Sequence, residues 1–286
     1  MRGPDVSRLS VVALLLASCA CSAGTDEPDR AGAGPQLHAA SVYGRHSAVR
    51  GKVDVRIAND GEAPVEVERW QIRHPMFGDV APVERPSTLV PDGVERIVPV
   101  PFGPARCDVD DPAGAVVVLT VRADDGRREV AVPLVDREPG LLRAHRQACA
   151  VEALTATASV ELVAPWVRDP DRPDALRTTL VLRRRTPGVV TVDEVRGNVL
   201  FSVEPPAAPP LGALPADRQE VRAPLVVRAT RCDPHALIES KRSFTFPVQA
   251  RLDGGEVTAV PVTVDAAGRA ALQALLDDTC GAGPSA

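Results

Sequence analysis

One block of features occurs twice in this chain in the same order, and that duplication constrains the fold more than any composition figure does. The stretch "PARCD" at 104–108 returns as "ATRCD" at 229–233, "DDGRREVAVPL" at 124–134 returns as "LDGGEVTAVPV" at 252–262, and each copy closes on a cysteine, in "RAHRQACA" and "QALLDDTCG". The matching positions are separated by 125 residues (Cys107 to Cys232), 128 (Val132 to Val260) and 131 (Cys149 to Cys280). A conserved order with small insertions is the mark of a duplicated unit. It divides the body of the chain near residue 151 into 37–150 and 151–286, each of ordinary domain size.

Within each copy the apolar residues recur with period two. Val53, Val55 and Ile57 alternate with Asp54 and Arg56 before the turn "NDGE", and Val65 and Val67 alternate with Glu66 and Glu68 after it. One apolar face and one wet face is the signature of an antiparallel sheet. Further strands are predicted at 94–100, 116–122 and 129–135 in the first copy, and at 157–163, 178–184, 190–203, 220–229, 243–251 and 256–264 in the second. The Asp-Gly pairs at 125–126 and 253–254 read as hairpin turns. With 28 prolines in 286 residues, long helices are disfavoured; only 139–149 and 266–279 read as helical, the second with Asp265 as its cap. The expectation is a mainly β protein made of two tandem immunoglobulin-like β-sandwich domains, each closed by a short C-terminal helix and one disulfide.

The duplication also assigns the cysteines. Four cysteines allow three connectivities, and Cys107 with Cys149 and Cys232 with Cys280 is the one that keeps each copy self-contained. Bridges closing loops of roughly 40 to 50 residues contribute about 4 kcal/mol each in the chain-entropy model and require an oxidising compartment. A shared zinc site is the rival reading, but there is no CxxC and no nearby His pair to support it.

The first residues give the compartment independently. Arg2 and Arg8 precede an apolar run from Leu9 to Ala17 and then small residues, the layout of a secretory signal. Nine residues cover only about 14 Å as a helix, too short to span a bilayer. The four residues Leu16-Ala17-Ser18-Cys19 resemble the lipobox of bacterial lipoproteins. That resemblance implies removal of residues 1–18, a diacylglyceryl group on Cys19, and retention at the extracytoplasmic face of the cell membrane. Cys21 fits less well, because Ser18 and not Leu stands three places before it. Two acyl chains supply stable anchoring where one does not. The Gly-, Pro- and charge-rich stretch that follows, 22–36, has no bulky core former and reads as a tether reaching about 50 Å at full stretch.

The net charge is −5, and removal of residues 1–18, which carry Arg2, Arg8 and Asp5, makes it −6. A chain of that sign has no electrostatic footprint for nucleic acid. There is no GxSxG, HExxH, GxxxxGK or dinucleotide fingerprint. The five histidines, at 38, 46, 74, 145 and 235, lack metal-ligand spacing. His74-Pro75-Met76 hints at soft-metal chemistry but reads more simply as a strand-end loop. The acidic runs at 107–114 and 168–174 lack the ligand alternation of a calcium loop and read as solvated turns. "RRR" at 183–185 reads as a strand running out into solvent, and Trp70 as core. No catalytic residue, metal or cofactor is predicted. The leading function class is therefore a non-catalytic binding module of the bacterial cell envelope, partnered by the membrane and by a protein or envelope component. A solute-binding lipoprotein, or an enzyme whose site follows no motif, is the alternative; the strand–helix alternation of a transport receptor is missing.

Overall fold

The computed structural model describes residues 35–42, 51–91, 95–109, 113–123, 126–136, 139–204, 210–239 and 242–281. The protein is mainly β, and the described residues from Pro35 onward belong to one compact unit.

The first copy contributes β1 (Leu37–Val42), β2 (Lys52–Asn59), β3 (Val65–Arg73), β4 (Val83–Leu89), β5 (Arg96–Pro101), β6 (Val116–Ala123) and β7 (Gly126–Val135). They join in the order β4-β3-β6-β7-β1-β2-β5. All ladders are antiparallel except the short link from β1 to β7, where Ala39 meets Leu134 and Ala40 meets Val135. The chain folds over at that link, so that β1-β2-β5 and β4-β3-β6-β7 face each other as two layers. Strand β2 buries every second residue, as its pattern predicts: Val53, Val55 and Ile57 are sealed in the core. Opposite them lie Val67, Trp70, Ile72, Val117, Leu119 and Val121. Trp70 is fully buried, and its indole N–H donates to the carbonyl of Arg85 at 2.9 Å.

The second copy forms two four-stranded sheets from β8 (Ala158–Asp169), β9 (Arg172–Arg184), β10 (Val190–Val195), β11 (Phe201–Glu204), β12 (Gly212–Leu214), β13 (Glu220–Ala229), β14 (Thr245–Leu252) and β15 (Thr258–Thr263). Their orders are β12-β10-β14-β15 and β11-β13-β9-β8. The pairings match the first copy strand for strand: β9 sits between β8 and β13 as β2 sits between β1 and β5, and β14 between β10 and β15 as β6 between β3 and β7. Strand β11 is an addition. The hairpin between β14 and β15 turns on Asp253 and Gly254, both at positive φ (50° and 72°), as the Asp-Gly signal predicts.

Each copy ends in a helix after its last strand. Helix α1 spans Gly140–Thr157 and α3 spans Ala266–Gly281; between them lies a short helix α2, Pro234–Glu239, which the apolar pattern does not predict. The carboxylate of Asp136 receives the N–H groups of Gly140 and Leu141 at 3.0 and 3.1 Å, and Asp265 receives that of Gly268 at 2.7 Å. The two acids follow Val135 and Val264 at the same place in each copy, and both satisfy donors that a helix start leaves open.

Two expectations change. Helix α1 does not stop at 149 but continues to Thr157, and Ala158 immediately begins β8. The stretch 190–203 is two strands in different sheets, β10 and β11, divided at Gly197 and Asn198. Asn198 makes the switch by accepting N–H bonds from Leu200 and Phe201 and donating to the carbonyl of Ser243. A Cβ on Gly197 would lie 2.2 Å from the carbonyl oxygen of Phe201, so the turn requires glycine.

Open edges are handled differently in the two copies. The exposed side of β15 meets α1, whose Gln147 side chain donates to the carbonyl of Ala259 at 3.0 Å. Strand β5 ends the seven-stranded sheet with Pro99 and Pro101, and its Ile97 side chain stands in solvent.

Candidate functional site

The four body cysteines form the two predicted bridges. Cys107–Cys149 and Cys232–Cys280 bring their Cα atoms to 5.5 and 5.1 Å. Each ties the loop that crosses between sheets to the helix that follows the last strand. Cys19 lies outside the described residues, as do Cys21 and everything up to residue 34. No described helix is long and apolar enough to cross a membrane.

Of the histidines, His46 lies outside the described residues. His38 pairs with Asp60 at 2.8 Å on the surface. His74 and His145 are buried on either side of Phe77, each ring edge-on to it. His74 Nδ1 accepts the Met76 N–H at 3.1 Å, and burial holds its pKa below the ordinary imidazole value. Met76 is fully buried, so His74-Pro75-Met76 is a turn that seals the core. Among the described residues no three His, Cys, Asp or Glu side chains gather as a metal centre.

Charge is concentrated on two open sheet faces. On the first copy, β3 carries a bulge at Glu68 in its ladder to β6, where Val67 and Arg69 pair with the adjacent Val121 and Thr120. The extra residue puts Glu68 and Arg69 side by side on the outer face. Glu68 receives hydrogen bonds from Arg122, at 2.7 Å, and from Arg127. These two guanidiniums, Arg122 foremost, hold its carboxyl below the usual carboxylate range. Glu66, Arg69, Glu84 and Pro86 complete a shallow depression around it.

On the second copy the acidic run 168–174 is the tight hairpin joining β8 to β9. Asp169 is buried, with its side chain only 2% exposed, and accepts from Arg177 at 3.1 Å and from the N–H of Asp171 at 2.9 Å. Those bonds, Arg177 first, lower its pKa. The network extends through Arg172 to Glu204, from Glu204 to Arg228 at 3.1 Å, and from Arg228 to Asp174 at 2.6 Å. Arg228 also draws down the pKa of Asp174 and Glu204. Each of these acids is matched to a guanidinium, so the run is an arginine-tied hairpin.

The "RRR" reading needs correction at its centre. Arg183 bridges Glu161 and Glu220 on the outer face, whereas Arg184 turns its guanidinium back onto the chain. It donates to the carbonyls of Gly188, at 2.6 Å, Arg218, at 2.9 Å, Thr186, Leu214 and Pro215. Five donors in a rigid fork suit a cluster of carbonyl acceptors, and the sequence carries no local sign of it because the acceptors come from two separate loops.

No family model and no curated protein matches this chain. Solved structures that resemble it include a protein of unknown function from Porphyromonas gingivalis W83, at 14% identity over 81% of this chain and 99% of that one, with a TM-score of 0.20. A biofilm-associated protein resembles it in its B domain (8% identity, 80% of this chain, 85% of that one, TM-score 0.23) and in its BSP domain (7%, 80%, 58%, TM-score 0.24).

Proposed function

We propose that this chain is a membrane-anchored binding module: two tandem immunoglobulin-like sandwiches, 37–150 and 151–286, held by lipidated Cys19 at the extracytoplasmic face of a bacterial membrane, where they engage a protein or envelope component without catalysis. The observation that supports it best is the placement of charge. The densest polar clusters, on the outer sheet face around Glu68 and beside the β8–β9 hairpin that buries Asp169, lie open to one side and hold these acids in contact with guanidiniums. Such faces present patterned charge to a broad partner; an enzyme instead concentrates unmatched groups in a recess. The matching strand orders of the two copies support the tandem reading, and the two bridges agree with an oxidising compartment.

Cross-linking on intact cells tests the proposal, with the Cys19→Ala protein as the unanchored control and Glu68→Arg as a face variant. The wild-type protein fractionates with the membrane and captures a specific partner, Cys19→Ala is released, and Glu68→Arg stays anchored but loses the capture. Retention of Cys19→Ala in the membrane overturns the anchor. Equal capture by Glu68→Arg overturns the role of that face.

A further inference from the structure

The two bridges occupy equivalent places but not equivalent surroundings. In the helix of the first copy, the residue four positions before the cysteine is His145; in the second it is Leu276. Both are buried, so the fold accepts plain hydrocarbon at this point and the imidazole is not needed to fill it. His145 Nε2 lies 3.0 Å from the carbonyl of Arg106 and 3.6 Å from Cys149 Sγ. A carbonyl oxygen only accepts, so the hydrogen is on Nε2, bonded to the Arg106 carbonyl with Cys149 Sγ as its second, longer neighbour. On the other sulfur the surroundings have the opposite sign: Glu152 Oε2 stands 3.4 Å from Cys107 Sγ, and Cys107 is solvent-exposed while Cys149 is half-covered. The sequence counterpart of Glu152 in the second copy is Gly283.

We infer that Cys107–Cys149 is a polarised, exchangeable disulfide, opened by a vicinal dithiol of the oxidoreductase class, and that Cys232–Cys280 is the structural one. A thiolate of the dithiol attacks the exposed Cys107 Sγ. The bond between the two cysteines breaks, and its electron pair leaves on Cys149 Sγ, where the N–H of His145 stabilises the thiolate. Rates of exchange rise as the leaving thiol becomes the better anion. Glu152 disfavours Cys107 as the leaving thiolate but also opposes an anionic attacker there, so it is the exposure of Cys107 that selects the attacked sulfur. The second thiolate of the dithiol then attacks its own sulfur in the mixed disulfide and expels Cys107. The dithiol ends as a disulfide, and Cys107 and Cys149 take up two electrons from it and two protons from water. His145 acts here as a positioning and stabilising group. The inference rests on the bridge and its neighbours and is independent of the binding function proposed above.

The full-length protein in detergent tests it. Dithiothreitol is added for graded times, the reaction is quenched by alkylation, and both bridges are followed by peptide mapping. Cys107–Cys149 opens several-fold faster than Cys232–Cys280, and with glutathione the trapped mixed disulfide is on Cys107. His145→Leu, which copies the second repeat, slows the opening about fivefold, the equivalent of one ordinary hydrogen bond; His145→Gln, which keeps an N–H donor, recovers most of the rate. Equal opening of the two bridges in the wild-type protein overturns the inference, as does glutathione on Cys149. Should His145→Leu loosen the fold and speed both bridges together, the wild-type order and the site of glutathione still decide the question.

Discussion

Gly268 lies flat against the indole of Trp166: a Cβ at position 268 would stand 2.8 Å from both Cε2 and Nε1 of the ring. Helix α3 therefore rests on β8 through a bare backbone at its first turn. Alanine in place of glycine in a helix ordinarily gains up to about 1 kcal/mol. Here the added methyl must push a ring that is wedged between helix and strand, and overpacking of that kind costs about 1–3 kcal/mol. Gly268→Ala is expected to lower stability by about 1–2 kcal/mol net in urea unfolding, with a change in tryptophan emission of the folded protein as the local signature.

Asp169 contributes to the acid side of the stability profile. Its folded pKa is below the unfolded value because Arg177 and the Asp171 N–H bond the carboxylate. The contribution is accordingly complete above the ordinary carboxylate range, near pH 4, and is lost as pH falls through the folded value. Asp169→Asn is expected to be less stable than wild type at pH 7, with the two unfolding curves converging as the pH is taken below about 4. A constant difference across pH contradicts the assignment.

Arg184 is the tie between the β9 end and two loops. Arg184→Ala removes charge-assisted bonds to five carbonyls and is expected to cost about 2–3 kcal/mol in denaturant unfolding. Arg184→Lys keeps the charge but not the fork and recovers less than half of the loss.

The Cys232–Cys280 bridge closes a loop of 48 residues. Replacing both cysteines by serine is expected to cost about 4 kcal/mol in the chain-entropy model, read as a lower urea midpoint with the native circular dichroism spectrum retained.

What the sequence reveals here is what repeats and what alternates. Strand β2 is written in its own residues, Val53, Val55 and Ile57, because one face is core and the other water. The bridges and both terminal helices emerge from the duplication. Strand β4, "VERPSTL", escapes because it lies at an edge with mostly exposed residues and Pro86, so no face imposes a period. Strand β12 is three residues long, below the reach of any period. The break at Gly197-Asn198 is hidden by valines on both sides that belong to different sheets. Helix α1 outruns its expected end because Ala150–Leu154 is as helical as what precedes it, and the boundary between repeats is not a boundary of hydrogen bonding. The charged faces are the least legible: the partners of Glu68 and Glu204 come from strands more than twenty residues away, so sequence shows the charges without their pairing.

Prolines 99 and 101 make the outer strand of the first copy a poor template for growth. Along β5, residues alternate between turning their N–H toward β2 and toward the open side. Phe102, just beyond the strand, donates to Gly51 on the β2 side, which places 98 and 100 in the same set and 97, 99 and 101 in the other. A chain arriving at that side to extend the sheet finds carbonyls but, of these three positions, a single donor at Ile97. A protein crowded among copies of itself is thereby spared stacking edge to edge into filaments from this strand, even though an apolar side chain stands exposed there.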